Sequence, residues 1–195
     1  MDHGHIIEQT KSVVTSIIKA SDPELHYFRQ NVRVHQMAKS DLLVREGETC
    51  NSIFFVNSGV FRSFLWADDV EVNTEFFFEN SFAGAFTSFL LERKTVLNIQ
   101  ALEEATVTEI PKATLEALYQ RDPAWYALGK YIFEREFIKK CQRESDFLKL
   151  SAKERYLSLV QQHPQIEERI PGYHIASFLG IKPESLSRIR SGRLT

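Results

Sequence analysis

Cysteine is nearly absent from this chain. Its 195 residues hold two, Cys50 and Cys141, far apart and in unlike contexts. Two unrelated thiols exclude a four-thiolate iron–sulfur cluster built within one chain, and they fit a reducing compartment. Long hydrophobic runs are absent too. No stretch approaches the roughly 18 apolar residues of a membrane span, and "MDHGHIIEQT" lacks the cationic start and apolar core of a signal peptide, so a cytoplasmic protein is expected. With 8 glycines there is no Gly-rich phosphate loop, and no Ser/His/Asp grouping stands out. No histidine falls between Asp41 and Lys112, which argues against a metal-dependent oxygenase. The metal-like spacing of His3, His5 and Glu8 lies in the N-terminal tail, outside any strand. The sequence therefore predicts neither enzyme, metal site nor cofactor.

What is present is ordinary in amount and uneven in distribution. Hydrophobic residues make up 43% and charged residues 26%, the proportions of a globular chain with one large domain or a medium and a small one. The net charge of −2 hides an acidic middle, twelve acids against five bases from Asp41 to Lys112. It also hides a basic end, where Arg169, Lys182, Arg188, Arg190 and Arg193 face only Glu184. That asymmetry suits a protein whose C-terminal end meets a polyanion.

The hydrophobic periodicity divides the chain further. Ile6, Ile7, Val13, Val14, Ile17 and Ile18 recur at helical spacing, and Asp22 before Pro23 restarts a helix, so the first forty residues read as helical. From about Asp41, short apolar runs separated by "REGE", "VNSGV", "WADDV" and "FENS" predict antiparallel strands. A second β run, "LNIQALEEATVTEI", ends at Pro111, and between the two lies "SFAGAFTSFLLERKTV", with a helical middle. Beyond Pro111 the pattern is helical. Asp122 as N-cap and Pro123 open a long helix running to about Arg143, whose apolar residues exceed one stripe and so call for a partner helix. "SAKE" at Ser151–Glu154 is a capping box. These breaks divide the chain into 1–143 and 144–195.

"HIASFLGIKPESLSRIR" carries the chemistry. Ile175, Leu179, Leu186 and Ile189 form an internal apolar set, and Ala176 sits at a close crossing. Gly180 takes the turn, Ile181 plugs it and Pro183 starts the second helix. This is a helix-turn-helix. Glu184 and Arg188, one turn apart, are residue types that read cytosine and guanine edges, with an intrahelical salt bridge as the surface alternative. Lys182, Ser185, Ser187 and Arg190, with Arg193, face outward beside them and suit phosphates or groove edges.

In that order, a β-roll, a long helix and a helix-turn-helix resemble the Crp/Fnr family of bacterial transcription regulators. The most specific residues are "IASFLGIKPESLSRIR" and "FAGAF" followed by "LNIQALEEATVTEI". The resemblance implies an α+β fold: a cyclic-nucleotide-binding-like jelly roll with flanking helices, a dimerisation helix of about Asp122 to Arg143, and a helix-turn-helix. It also implies a homodimer on double-stranded DNA, acting with RNA polymerase, with Glu184 and Arg188 reading bases. Pro183 stands where many members have an arginine, and the residues after Arg190 leave no length for a full wing.

The resemblance further places an effector pocket around Gly84, Ala85, Phe86, Thr95 and Val96. Members that bind cyclic AMP have Glu, Arg and Ser where this chain has Ala85, Thr95 and Val96. A buried phosphodiester lacking its guanidinium loses a charge-assisted pair, which predicts a degenerate or repurposed pocket for an unidentified small molecule. Arg93 and Lys94 leave open a non-standard phosphate clamp. A β-roll interaction module with weak DNA binding is the other alternative.

Overall fold

A computed structural model describes residues 3–192. It divides into two compact units: Met1–Ser63 with Phe76–Arg135, and Phe64–Glu75 with Glu136–Thr195. Arg193 lies outside the described residues.

In the first unit, α1 (His3–Ile17) and α2 (Asp22–Asn31) precede β1 (Arg33–Met37), β2 (Leu42–Val44) and β3 (Ser52–Ser58). Strand β4 (Phe61–Ala67) and β5 (Val70–Phe77) form a hairpin whose distal part belongs to the second unit. Then follow β6 (Phe82–Ala83), α3 (Phe86–Leu91), β7 (Asn98–Ala101), β8 (Ala105–Pro111) and α4 (Lys112–Arg121). The strands make two four-stranded sheets, in the orders β1-β8-β3-β6 and β2-β7-β4-β5. Non-sequential neighbours in both mark a jelly-roll topology.

Two cores fill this unit. Phe54, Val56, Phe61, Phe77, Ile99 and Val107 form one within the strands. Phe28, Phe55, Phe82, Phe89, Leu118 and Trp125 belong to the other, where helices pack on the roll. Helix α1 is pinned by a closed ring of buried polar groups. Thr10 donates to Thr108 (2.8 Å), Thr108 to Asn57 (2.8 Å) and Asn57 back to Thr10 (3.0 Å). Buried polar groups are tolerable only when paired this way.

Three expectations need correction. The helical reading of the first forty residues fails at Arg33, because β1 is an edge strand held in register by β8, from Arg33 opposite Glu109 to Met37 opposite Ala105. No local pattern announces it. The segment His3–Glu8 is helical, not a loose tail, and Glu8 is paired with Arg29 (3.0 Å) and Lys11 (3.2 Å). The long helix also starts and ends later than its sequence signals. Asp122 closes the end of α4, its carboxylate accepting the Ala124 N–H (2.9 Å), and α5 runs from Trp125 to Lys149. Its 25 residues give roughly 37 Å of helix.

The second unit continues through α6 (Ala152–Gln162), α7 (Ile166–Arg169), α8 (Gly172–Leu179) and α9 (Pro183–Arg190). The capping box forms as read: Ser151 Oγ accepts the Glu154 N–H (3.3 Å), and Glu154 accepts the Ser151 N–H (2.7 Å). Leu159, Ile166, Ile170, Ile175, Ala176, Leu179, Leu186 and Ile189 are all buried in it.

Candidate nucleic-acid interface

The turn between α8 and α9 is built from both sides. Gly180 lies in the left-handed region (φ 68°), and the Ile181 N–H reaches back to the Ala176 carbonyl (3.0 Å). A Cβ on Gly180 would stand 2.8 Å from a Phe147 ring carbon, so both backbone angle and space require glycine. Lys182 caps α9 and Pro183 begins it, where a missing N–H costs nothing.

Arginines the sequence did not single out hold that turn. Arg155 donates to the Leu150 carbonyl (2.7 Å) and the Leu179 carbonyl (3.0 Å), and Arg143 to the Phe178 carbonyl (3.0 Å). Both guanidiniums lie over the Phe147 ring, at 4.6 Å for Arg143 and 4.5 Å for Arg155. Burial chiefly lowers the Arg143 pKa, and Arg155 beside it adds to that. The C-terminal carbonyls of α8 are thus satisfied by cations, the charge that end of a helix favours. No spacing rule links Arg143, Phe147, Arg155 and Gly180, so these contacts are invisible before folding.

On α9, Lys182, Glu184, Ser187 and Arg188 are exposed, and Ser185 is half-buried. The Arg188 guanidinium donates to Ser185 Oγ (3.3 Å), and no Glu184–Arg188 ion pair forms among the described residues. Arg188 therefore stands clear of the salt bridge that could have occupied it. Arg190 differs from its neighbours. Its Nε pairs with Glu167 (2.6 Å), which also accepts the Tyr156 hydroxyl (2.6 Å), so this arginine ties α9 to α7 and α6.

Helix α5 has two faces. Trp125, Leu128, Ile132 and Glu136 are buried at spacings of three and four. Tyr126, Phe137 and Leu148 are exposed on the other side, with Ile138 and Cys141 beside them. Leu148 is 81% exposed and Phe137 69%. Apolar residues repeating on one exposed helix face offer surface that another helix can cover.

The residues expected to line an effector pocket are mostly engaged within the fold. Gly84 bends the chain between β6 and α3, but a Cβ there would meet Phe86 and Ser52 at an ordinary 3.6 Å. Ala85 is buried at the start of α3. Thr95 is buried with its hydroxyl accepting the Leu97 N–H (2.9 Å), and its backbone pairs with Glu48 and Gly47. Val96 is exposed. Phe86 and Phe89 both pack on Phe133, and Phe82 on Phe55, so the phenylalanines fill space with each other. Arg93 and Lys94 are exposed.

Two antiparallel sheets of jelly-roll topology, a long helix and a helix-turn-helix define a β-roll followed by a small helical module. Residues 34–122 match the cyclic nucleotide-binding domain family. The chain has the fold of the Crp/Fnr transcription regulators. FixK2 from Bradyrhizobium japonicum superposes with a TM-score of 0.72 at 16% identity, over 83% of each chain. CLP from Xanthomonas campestris, a global regulator, gives 0.69 at 16%, over 88% of this chain and 91% of its own. A protein of Eubacterium rectale described as a transcriptional regulator of the Crp/Fnr family gives 0.70 at 15%, over 89% and 83%. The latter two are described as regulators. The sequence has no significant match among curated proteins. Among the described residues no helix is long and apolar enough to cross a membrane.

Proposed function

We propose that this chain is a sequence-specific, DNA-binding transcription regulator that acts as a homodimer and works with RNA polymerase. One observation carries the reading: on α9, Glu184 and Arg188 are exposed one turn apart on a helix held by a glycine-dependent turn. A recognition helix presents its N-terminal half to base edges in the major groove, and Arg with Glu can read adjacent G·C pairs there. Lys182, Ser185 and Ser187 flank them for phosphate contacts. Arg190, through its bond to Glu167, supports the helix more than it reaches outward. Dimerisation through the exposed stripe of α5 sets two such helices one turn of DNA apart.

The effector pocket is degenerate or repurposed on this reading. Ala85 and Val96 offer no polar group for a cyclic phosphate, and the Thr95 hydroxyl already caps its own loop. CLP is a c-di-GMP responsive regulator, so this fold accommodates effectors other than cyclic AMP.

Selection of bound fragments from random duplex DNA tests the function. An enriched two-fold motif supports it, and retention of no duplex at low salt refutes it. Light scattering should give about twice 22.6 kDa. Titration calorimetry with cyclic AMP and cyclic GMP should show no micromolar binding. Binding that Arg93→Ala or Lys94→Ala weakens would install the non-standard clamp instead.

A further inference from the structure

The distal β4–β5 hairpin, Phe64–Glu75, belongs to the same compact unit as the helix-turn-helix. It is fastened to α8 by polar contacts. The Asn73 N–H donates to Ser177 Oγ (3.0 Å), and Ser177 Oγ donates to the Glu71 carbonyl (3.1 Å). The Asn73 amide reaches the His174 carbonyl (3.4 Å) and Nδ1 (3.3 Å). Asn73 and His174 are both buried, at 1% and 6% exposure. A cleft of about 590 Å³ remains in front of this fastening. Val70 and Glu71 line one side, and Tyr173, Lys182 and Pro183 the other.

The hairpin holds Asp68, Asp69, Glu71 and Glu75 and no Lys or Arg. Asp68 and Asp69 form its tight turn, both at positive φ (48° and 62°), and both are exposed. They directly precede Val70, which lines the same cleft as Lys182 and Pro183 at the start of α9. Glu71 lines that cleft with Lys182, so a DNA phosphate approaching Lys182 meets an acidic hairpin at the same cleft.

We propose that this hairpin is an autoinhibitory strap: fastened by Asn73 and Ser177, its acidic tip competes with DNA phosphates at the start of α9, and DNA binding requires its release. The inference rests on the DNA-binding reading above. Its test is anisotropy of a labelled duplex carrying the selected site, with the full chain. Asn73→Ala removes the fastening without changing charge and should tighten binding five- to tenfold at an unchanged salt slope. Asp68→Asn with Asp69→Asn leaves the fastening intact and should also tighten binding, with a changed salt slope. Trp66, half exposed on the hairpin, should become more accessible to acrylamide when duplex is added to the wild type, whereas Trp125 is fully buried and stays silent. Should the wild type bind while both folded variants bind no tighter and Trp66 is unchanged, the strap is refuted and the DNA-binding reading stands. If none retains duplex, both fall together.

Discussion

A methyl group added at Gly180 would strike the Phe147 ring at 2.8 Å, at a backbone angle that side chains avoid; added at Gly84 it would touch Phe86 and Ser52 at 3.6 Å. On the proposed function these glycines flank the DNA-reading and effector positions, and they differ in kind. Around Gly180 the turn is held by paired arginines, and Glu184 and Arg188 stand exposed on the helix that follows. Around Gly84 the scaffold is packed by phenylalanines, and Ala85, Thr95 and Val96 are the positions proposed as a degenerate effector pocket. Apolar packing maintains a backbone, but ligand chemistry rests on a few polar side chains whose loss leaves the fold intact.

Substituting valine for Gly180 should have the largest effect. Left-handed strain and the Phe147 clash together should cost about 3–4 kcal/mol of stability in the helix-turn-helix unit, read by denaturant unfolding. A loss under about 1 kcal/mol would show that the turn is not glycine-dependent.

The buried charges of that unit give the next effect. Burial and the Glu75 charge push Glu136 from 4.5 up to about 7, against the pull of Lys139 at 2.6 Å. Lys140 faces Glu75, Arg143 lies near them, and Lys139 lowers His163 after burial has done so. Glu136 binds its proton more tightly when folded, so its contribution is fully present below pH 4.5 and lost as pH rises through about 7. Relative to wild type, Glu136→Gln should gain about 1–3 kcal/mol at pH 8 and much less at pH 5. Equal shifts at both pH values would contradict the assignment.

A smaller but more informative change is Arg188→Ala. It should cost about 1–3 kcal/mol on the selected site and relax one G·C preference in a repeated selection. An unaltered motif would move base reading off α9.

Gly84→Ala should change least, within roughly 0.5 kcal/mol of wild-type stability. A loss comparable to that of Gly180→Val would mean the β-roll bend is constrained after all, and the contrast between the two glycines would collapse.

Much of this was legible in the sequence because it is local. A capping box, a proline at the first helical position, a glycine after the last turn and apolar residues at spacings of three and four act within a few residues, and they announced α6, α8, α9 and the body of α5. The reading of Glu184 and Arg188 as exposed neighbours follows from helical periodicity alone. The polar edge strand Arg33–Met37 carries no such mark, because its conformation is decided by hydrogen bonds to β8 more than sixty residues away. The later end of α5 at Lys149 brings Phe147 next to Gly180, a contact between residues more than thirty positions apart.

The sequence by itself determined the order of most elements and the helix-turn-helix, since each depends on residue identity at fixed short spacing. Only the tertiary structure decided that Arg190 is spent on Glu167, that Arg143 and Arg155 clamp the turn, and that the hairpin Phe64–Glu75 is fastened to α8. Those are pairings between residues distant in the chain. A buried donor or charge takes whichever partner the fold brings within about 3 Å, and no local pattern names that partner beforehand.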